Sequence, residues 1–275
     1  MERMAYRDPS SRSMKGSTGL CFSLIVPTYN EVDNIAELVS RVEVSCKDLP
    51  FEMIFVDDGS TDGTVRMLEM LMRTRNNMKV LRRPKKLGLA SAILAGASLA
   101  SSKIIAVMDA DLQHPPELLP LLYHKIAEDY DVVIASRYVK GGGIKGWSLL
   151  RRAVSKCAIW MTHLLIPEIR QIKDPLSGYF MARSEVLADL GWCSEGFKVL
   201  VSILCLARHR SVVEVPYTFE SRRKGRSKFN VKEVFTYAKL LLKLKLGRMG
   251  RYRGNAQYSL LGSESAENLT WYGLV

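Results

Sequence analysis

The spacing of apolar residues changes period repeatedly along the chain. Cys21-Phe-Ser-Leu-Ile-Val26 is a short apolar run halted at Pro27, as in a buried strand. Ile35, Leu38, Val39 and Val42 then recur at helical steps, with Asp33 or Asn34 as the expected N-cap. Phe51 to Val56 predicts a second strand, followed by a helix capped by Asp62 and bearing Val65, Leu68 and Leu71. Lys79 to Leu81 and Ile104 to Met108 predict two more strands, separated by a small-residue helix from Gly88 to Ala100 that suits close packing on a sheet. Pro115 and Pro116 open the next helix, and Asp131 to Ala135 is a fifth strand. Strands and helices alternating at this spacing imply βαβ units, hence an α/β fold with a mostly parallel central sheet flanked by helices.

In such sheets ligands bind beyond the carboxyl ends of the strands. Three strands end there in polar clusters: Pro27-Thr-Tyr-Asn-Glu31, Asp57-Asp58-Gly59-Ser60 and Asp109-Ala-Asp111-Leu-Gln113. In an extended segment Asp109, Asp111 and Gln113 share a side, and two carboxylates with an amide oxygen suit Mg²⁺ or Mn²⁺ holding substrate phosphates. Such acids equally serve to cap a following helix. Asp58 can hold a ribose hydroxyl or a base edge, and Tyr29 can stack on a base or simply pack. His114 reads as a surface neighbour of the acidic motif. No GxxxxGKS or GxGxxG loop is present, so phosphates must be met by metal, arginine and lysine, and Gly141-Gly142-Gly143 reads as a flexible loop.

Charge sharpens that picture. The 275 residues carry 40 Lys and Arg against 28 Asp and Glu, a net +12. No carboxylate falls between Asp131 and Glu168, where Arg137, Lys140, Lys145, Arg151, Arg152 and Lys156 lie, and a second basic cluster spans Arg222 to Lys228. Phosphate-bearing partners fit such a surplus. Nucleic acid fits poorly, because Phe229 is the one aromatic beside the 222–228 cluster and offers no stacking platform. The five cysteines have no CxxC spacing and read as free thiols.

The sequence shows no secretory signal and no run of about 18 apolar residues. Trp147, Leu150, Val154, Cys157, Ala158, Met161, Leu164 and Leu165 nevertheless form an apolar stripe edged by Arg151, Arg152 and Lys156, the pattern of an interfacial helix or of a core-facing one. A second candidate stripe is Val231, Val234, Phe235, Ala238, Leu241 and Leu242. The expected organisation is a disordered segment over 1–19, an α/β domain over 20–229, a basic amphipathic helix over 230–249 and a polar tail over 250–275.

Ile25-Val-Pro-Thr-Tyr-Asn-Glu31, Val56-Asp-Asp-Gly-Ser-Thr-Asp-Gly63 and Met108-Asp-Ala-Asp-Leu-Gln-His-Pro-Pro116 resemble the family 2 glycosyltransferases of GT-A (Rossmann-like) fold. Ala135-Ser-Arg-Tyr-Val-Lys-Gly-Gly142, Asp174-Pro-Leu-Ser-Gly-Tyr-Phe180 and Val215 to Lys228 are similar to the dolichol-phosphate mannose synthase branch. The resemblance runs from about Cys21 to about Gly247. It implies that Pro27, Tyr29, Glu31, Val56 and Asp58 surround the base and ribose, and that Asp109, Ala110, Asp111 and Gln113 hold metal and diphosphate. Arg137, Lys198, Arg222 and Lys228 would reach the nucleotide-sugar, and Arg137, Arg151 and Ser155 the acceptor phosphate. Asp111 and Arg137 would be the residues closest to catalysis.

The implied reaction is inverting transfer of mannose from GDP-mannose to dolichyl or polyprenyl phosphate, with Mg²⁺ or Mn²⁺. The expected place is the cytoplasmic face of the plasma membrane or endoplasmic reticulum, reached peripherally or through a separate membrane-anchoring subunit. A UDP-sugar donor with another polyprenyl phosphate is the alternative within the class. A processive polysaccharide synthase is disfavoured because no QxxRW motif appears.

Overall fold

Alternate side chains of the central strands feed two different apolar layers. On the first strand, β1 (Phe22–Thr28), Ile25 joins one layer while Phe22, Leu24 and Val26 join the other. The structure is a computed structural model that describes residues 19–188, 198–206, 211–220, 237–242, 244–245 and 270–272. The helices α1 (Val32–Ser45), α2 (Thr64–Met72) and α4 (Leu119–Ala127) cover one face of the sheet. The other face carries α3 (Leu89–Ser98), α5 (Leu149–Leu165), α6 (Ser184–Ala188) and α7 (Val199–Leu206). Residues 237–242 and 244–245 are also helical, and Tyr237, Leu240, Leu241 and Leu244 pack into that second layer.

The remaining strands are β2 (Phe51–Asp57), β3 (Met78–Arg82), β4 (Ile104–Val107), β5 (Val132–Ser136), β6 (Gly143–Ile144), β7 (Phe180–Arg183), β8 (Val212–Pro216), β9 (Thr218–Phe219) and β10 (Thr270–Tyr272). Eight of the ten described strands, β1 included, form one sheet in the order β10-β3-β2-β1-β4-β7-β5-β8, with β7 and β10 antiparallel to their neighbours and every other pairing parallel. The chain moves outward from β1 in both directions, so β1 and β4 flank the point where strand order reverses. A crevice opens at the carboxyl ends of such a pair.

The five strands expected from the sequence are present, each with one or both ends shifted by one or two residues, and the first is extended furthest at its carboxyl end. β1 runs through Pro27, which sits opposite Val56, and reaches Thr28 opposite Asp57. The small-residue helix packs as expected: a Cβ on Gly96 would lie 2.6 Å from Ile25 Cγ2, so only glycine lets α3 approach β1 this closely. Helix α1 begins at Val32, before the expected cap, because its first turn is tied to the next βα loop. Glu31 N–H donates to Thr64 Oγ1 at 2.9 Å, and Val32 N–H to Asp62 Oδ2 at 3.1 Å. Asp62 also accepts from Thr64 N–H at 3.0 Å, so one carboxylate serves the starts of two helices. Pro116 to Leu118 form a 3₁₀ turn, and the helix proper starts at Leu119.

The expectation of a flexible loop at Gly141-Gly142-Gly143 is corrected. Gly143 pairs with Thr218 across β6 and β9, and a Cβ on Gly142 would meet the Ser136 carbonyl oxygen at 2.7 Å. Glycine is required there by a tight backbone crossing.

The apolar stripe on α5 is also redrawn. Ile159 and Thr162 are buried, and Ala158, Met161 and Leu165 pack against the core. The outward side instead carries Leu149, Leu150, Trp160 and Leu164, which are 84%, 74%, 63% and 52% exposed, with Ala153 and Cys157 exposed between them. Both sides of the helix are apolar, and residue spacing alone did not separate them. Among the described residues no helix is long and apolar enough to cross a membrane.

Candidate active site

A cavity of about 370 Å³ opens where β4, α5 and the segment after it converge. Asp109, Asp111, Gln113 and His114 line it from the end of β4, Arg137 from the end of β5, and Trp147 and Arg151 from the start of α5. Lys198 and Phe219 add further walls, and Leu89, Ile93, Leu176, Val199 and Leu200 make an apolar side. Carboxylates and cations thus meet across one small volume.

The acidic motif does not stay extended as the sequence reading assumed. β4 ends at Val107, the chain turns at Ala110 and Asp111, and buried Leu112 adopts φ 60°, a left-handed conformation that a β-carbon makes costly. The turn is fixed by its own side chains. Asp111 Oδ1 accepts from Gln113 N–H at 3.1 Å, and Gln113 Nε2 donates to the Glu220 carbonyl at 2.8 Å. With its amide nitrogen committed, Gln113 has its oxygen as the remaining pole. Asp109, Asp111 and Gln113 therefore line one cavity as two carboxylates and an amide oxygen. That donor set fits a hard divalent cation which shares its other positions with phosphate oxygens and water. Among the described residues no cluster of three or more His, Cys, Asp or Glu with metal-holding geometry occurs, so protein ligands alone make a sparse site.

His114 is buried rather than the surface neighbour expected. It is 2% exposed, stacks on Tyr179 at 5.1 Å and meets the edges of Tyr217 and Phe219. Its Nδ1 accepts the Asp109 backbone N–H at 3.1 Å, so it anchors the first acid of the motif. Burial above all pushes its pKa down to about 4, against the pull of Asp111. The imidazole is neutral at pH 7, as an N–H acceptor must be. Gly178 packs against it: a Cβ there would lie 3.4 Å from both His114 Cε1 and Asp109 Oδ2.

Arg137 reaches the cavity held by Asp174. Its Nε and Nη2 donate to the two carboxylate oxygens at 2.8 and 2.7 Å, and its backbone N–H adds a third bond at 2.9 Å. Burial works against the charge, but the carboxylate outweighs it and leaves the guanidinium pKa raised. Asp174 is itself fixed by Glu214, whose carboxylate accepts the Lys173 and Asp174 N–H groups at 2.7 and 2.9 Å. Arg151 lies over the Trp147 ring at 4.2 Å.

Residues 23–191 match the model of glycosyl transferase family 2. The chain belongs to that family. Dolichol-phosphate mannosyltransferase of Pyrococcus furiosus is 43% identical over 222 residues, covering 81% of this chain and 63% of that protein. The chain therefore spans less than two thirds of that relative. The protein of the same name from Saccharomyces cerevisiae is 35% identical over 244 residues, 83% of this chain and 88% of that one. Among solved structures, glucosyl-3-phosphoglycerate synthase of Mycobacterium tuberculosis with Mn²⁺, UDP-glucose and phosphoglyceric acid superposes with a TM-score of 0.62 at 21% identity. That match covers 85% of this chain and 81% of the other, and shows that the fold is the GT-A arrangement expected.

Within this family 2 framework the expected site residues divide into two groups. Asp109, Asp111, Gln113, Arg137, Arg151 and Lys198 share the cavity. Pro27, Tyr29, Glu31, Val56 and Asp58 lie at the neighbouring ends of β1 and β2, with Pro27 opposite Val56, while Ala110 sits within the acidic turn. There Tyr29 is half-exposed with Lys86 Nζ 4.3 Å from its ring centroid, and Glu31 accepts from Asn34 Nδ2 at 2.7 Å. Asp58 forms a buried ion pair with Arg83 and accepts the Gly88 N–H at 3.1 Å. Ser155 is outside the cavity lining and accepts a 2.9 Å bond from the Tyr138 hydroxyl. Arg222 and Lys228 lie outside the described residues, as do Val231, Val234 and Phe235 of the second apolar stripe. Asp174, Arg83, His114 and Trp147 were absent from the expected set. For Asp174 the signal was its place at the head of Asp174-Pro-Leu-Ser-Gly-Tyr-Phe180.

Proposed function

We propose that this chain transfers mannose from GDP-mannose to dolichyl or polyprenyl phosphate with inversion, at a membrane surface. The observation that carries the reading is the single cavity in which Asp109, Asp111 and Gln113 stand against Arg137, Arg151 and Lys198. The two named relatives supply the sugar and the lipid.

Asp109, Asp111 and Gln113 would hold Mg²⁺ or Mn²⁺, which when bound neutralises charge developing on the departing nucleoside diphosphate. Asp58, Tyr29 and Glu31, at the adjoining strand ends, would bind the nucleoside. A phosphate monoester is ionised near pH 7, so the acceptor needs no general base. Arg137 and Arg151 instead hold it for in-line attack on the sugar C1. Asp174 tempers this: by taking one edge of the Arg137 guanidinium, Nε and Nη2, it fixes the direction of the remaining N–H groups and reduces the net charge facing the nucleophile. The outward apolar row of α5, with exposed Arg152 and Lys156 beside it, is suited to lie in the headgroup region of an anionic membrane. A separate membrane subunit would add to that contact.

The test is transfer of radiolabelled mannose from GDP-mannose to dolichyl phosphate in detergent, with Mn²⁺ or with EDTA, beside parallel reactions with UDP-sugars. An organic-extractable mannolipid that vanishes with EDTA is expected. Product from a UDP-sugar alone would replace the donor, and product from neither, with a membrane subunit co-expressed, would overturn the reading.

A further inference from the structure

The Trp147 indole N–H is buried and has no hydrogen-bond partner among the described residues, although the residue lines the cavity. Tryptophan can only donate, and a buried donor left without an acceptor is rare because it has given up water for nothing. The ring around that N–H is firmly held. Phe219 meets it edge-on with centroids 5.3 Å apart at 74°, and the Arg151 guanidinium lies 4.2 Å above its face. Arg137 is 5.5 Å from the same ring. The next residue, Ser148, caps α5 by accepting the Arg151 N–H, so Trp147 and Arg151 are fixed to each other by the start of one helix.

We propose that Trp147 is a binding residue for the acceptor phosphate: its Nε1–H donates to a phosphate oxygen, and its ring holds Arg151 in place to contact the same group. This rests on the lipid-phosphate reading above. The donor's diphosphate belongs on the side of Asp109, Asp111 and Gln113, whereas Trp147 lies with the two arginines. An oxygen anion between Arg137 and Arg151 would supply the acceptor that the indole lacks, and because Nε1 is shielded from water as it stands, its binding would have to shift the ring or its cover slightly. The ring makes a second contribution, because a cation held over an aromatic face keeps its charge while losing conformational freedom. Arg151 then does not have to be ordered by the substrate itself.

Two variants separate the two roles. Trp147→Phe keeps a ring under Arg151 and removes the N–H; Trp147→Leu removes both. In the transfer assay Trp147→Phe is expected to raise the KM for dolichyl phosphate about tenfold, the loss of one hydrogen bond to a charged group. The KM for GDP-mannose should stay within about twofold. Trp147→Leu should raise the acceptor KM further, and combining it with Arg151→Ala should cost less than the product of the single effects. A merely structural tryptophan would alter both KM values or thermal stability instead.

Calorimetric titration with a short-chain polyprenyl phosphate, in the absence of any donor, reads the same site without turnover. Weaker binding in Trp147→Phe than in the parent supports the proposal even if the mannose assay yields no product, so failure of the donor assignment is distinguishable. Unchanged acceptor KM and unchanged phosphate affinity in Trp147→Phe, or a rise confined to the GDP-mannose KM, would overturn it.

Discussion

Arg137 and Asp174 meet through two parallel hydrogen bonds, with the arginine side chain 9% exposed and the aspartate fully buried. A planar guanidinium satisfied on one edge points its remaining donors in a fixed direction, which a lysine cannot do. Asp174→Asn removes one charge of a buried pair, and breaking such a pair costs about 3–5 kcal/mol. The variant should therefore melt at a lower temperature and show transfer reduced by at least about tenfold. Arg137→Lys should keep more stability than Asp174→Asn yet lose transfer to a similar degree. Full activity in Arg137→Lys would show that the fork is irrelevant to the chemistry.

The acidic turn makes a separate prediction. Asp109 and Asp111 line the cavity together with Gln113, and no third carboxylate of the described residues joins them. A metal there needs the nucleotide's phosphates to complete its shell, so Mn²⁺ should bind weakly to the free protein and tightly once GDP is added. Electron paramagnetic resonance of Mn²⁺ reads both states. Asp111→Ala should abolish the GDP-dependent signal and reduce transfer by about 10²-fold or more, a metal's charge stabilisation amounting to several kcal/mol. A GDP-dependent signal that survives in both Asp109→Ala and Asp111→Ala would place the metal elsewhere.

Glu52, at the opposite end of the sheet, offers a pH test of the scaffold. Its carboxylate accepts from Ser23 Oγ at 2.5 Å and Ser101 N–H at 2.6 Å, and pairs with Lys79 Nζ at 2.7 Å. Burial opposes the charge, but Lys79, Ser23 and Ser101 together hold its pKa below the usual carboxylate value. A depressed carboxylate stabilises the fold fully above its unfolded pKa of about 4.3 and loses that contribution as pH falls through the lower folded value. Glu52→Gln should be less stable than the parent at pH 7 by about 1–3 kcal/mol. Urea midpoints measured at falling pH should converge below about pH 4. A gap that is constant with pH would mean that the charge of Glu52 contributes nothing.

The strand-end clusters were legible because parallel-sheet topology dictates where they converge: Asp109, Asp111 and Gln113 are read from an apolar run that stops. The partners that fix them were not. Asp174 lies 37 residues from Arg137 along the chain, and nothing local ties the two. The Asp58–Arg83 pair and the Glu52 network are likewise long-range, and charge in a sequence carries no partner label. His114 looked like a surface residue because its neighbours are polar; the aromatic wall of Tyr179, Tyr217 and Phe219 that buries it is assembled from β7, β9 and their flanks. β7 itself, antiparallel in a parallel sheet, breaks the βαβ rhythm from which the other strands were read.

The outward row of α5 supports the last prediction. Leu149, Leu150, Cys157, Trp160 and Leu164 are exposed at helical spacing, and none lines the cavity. Burying such a side chain in an apolar phase is worth about 1.5–3 kcal/mol, and nearby Arg152 and Lys156 add attraction to anionic lipid. The protein should sediment with anionic vesicles, and replacing Leu149, Leu150 and Trp160 together by serine should weaken that binding by about tenfold or more. Thiol labelling supplies an independent reading at a single atom. Cys157 is exposed and should react with a maleimide in solution, whereas Cys46 is 1% exposed with its thiol pushed by burial to about 12 and should react only on unfolding. Vesicles that receive α5 should slow labelling of Cys157, mapped by peptide mass. Equal labelling with and without vesicles, in a protein that still sediments with them, would move the membrane contact to another face.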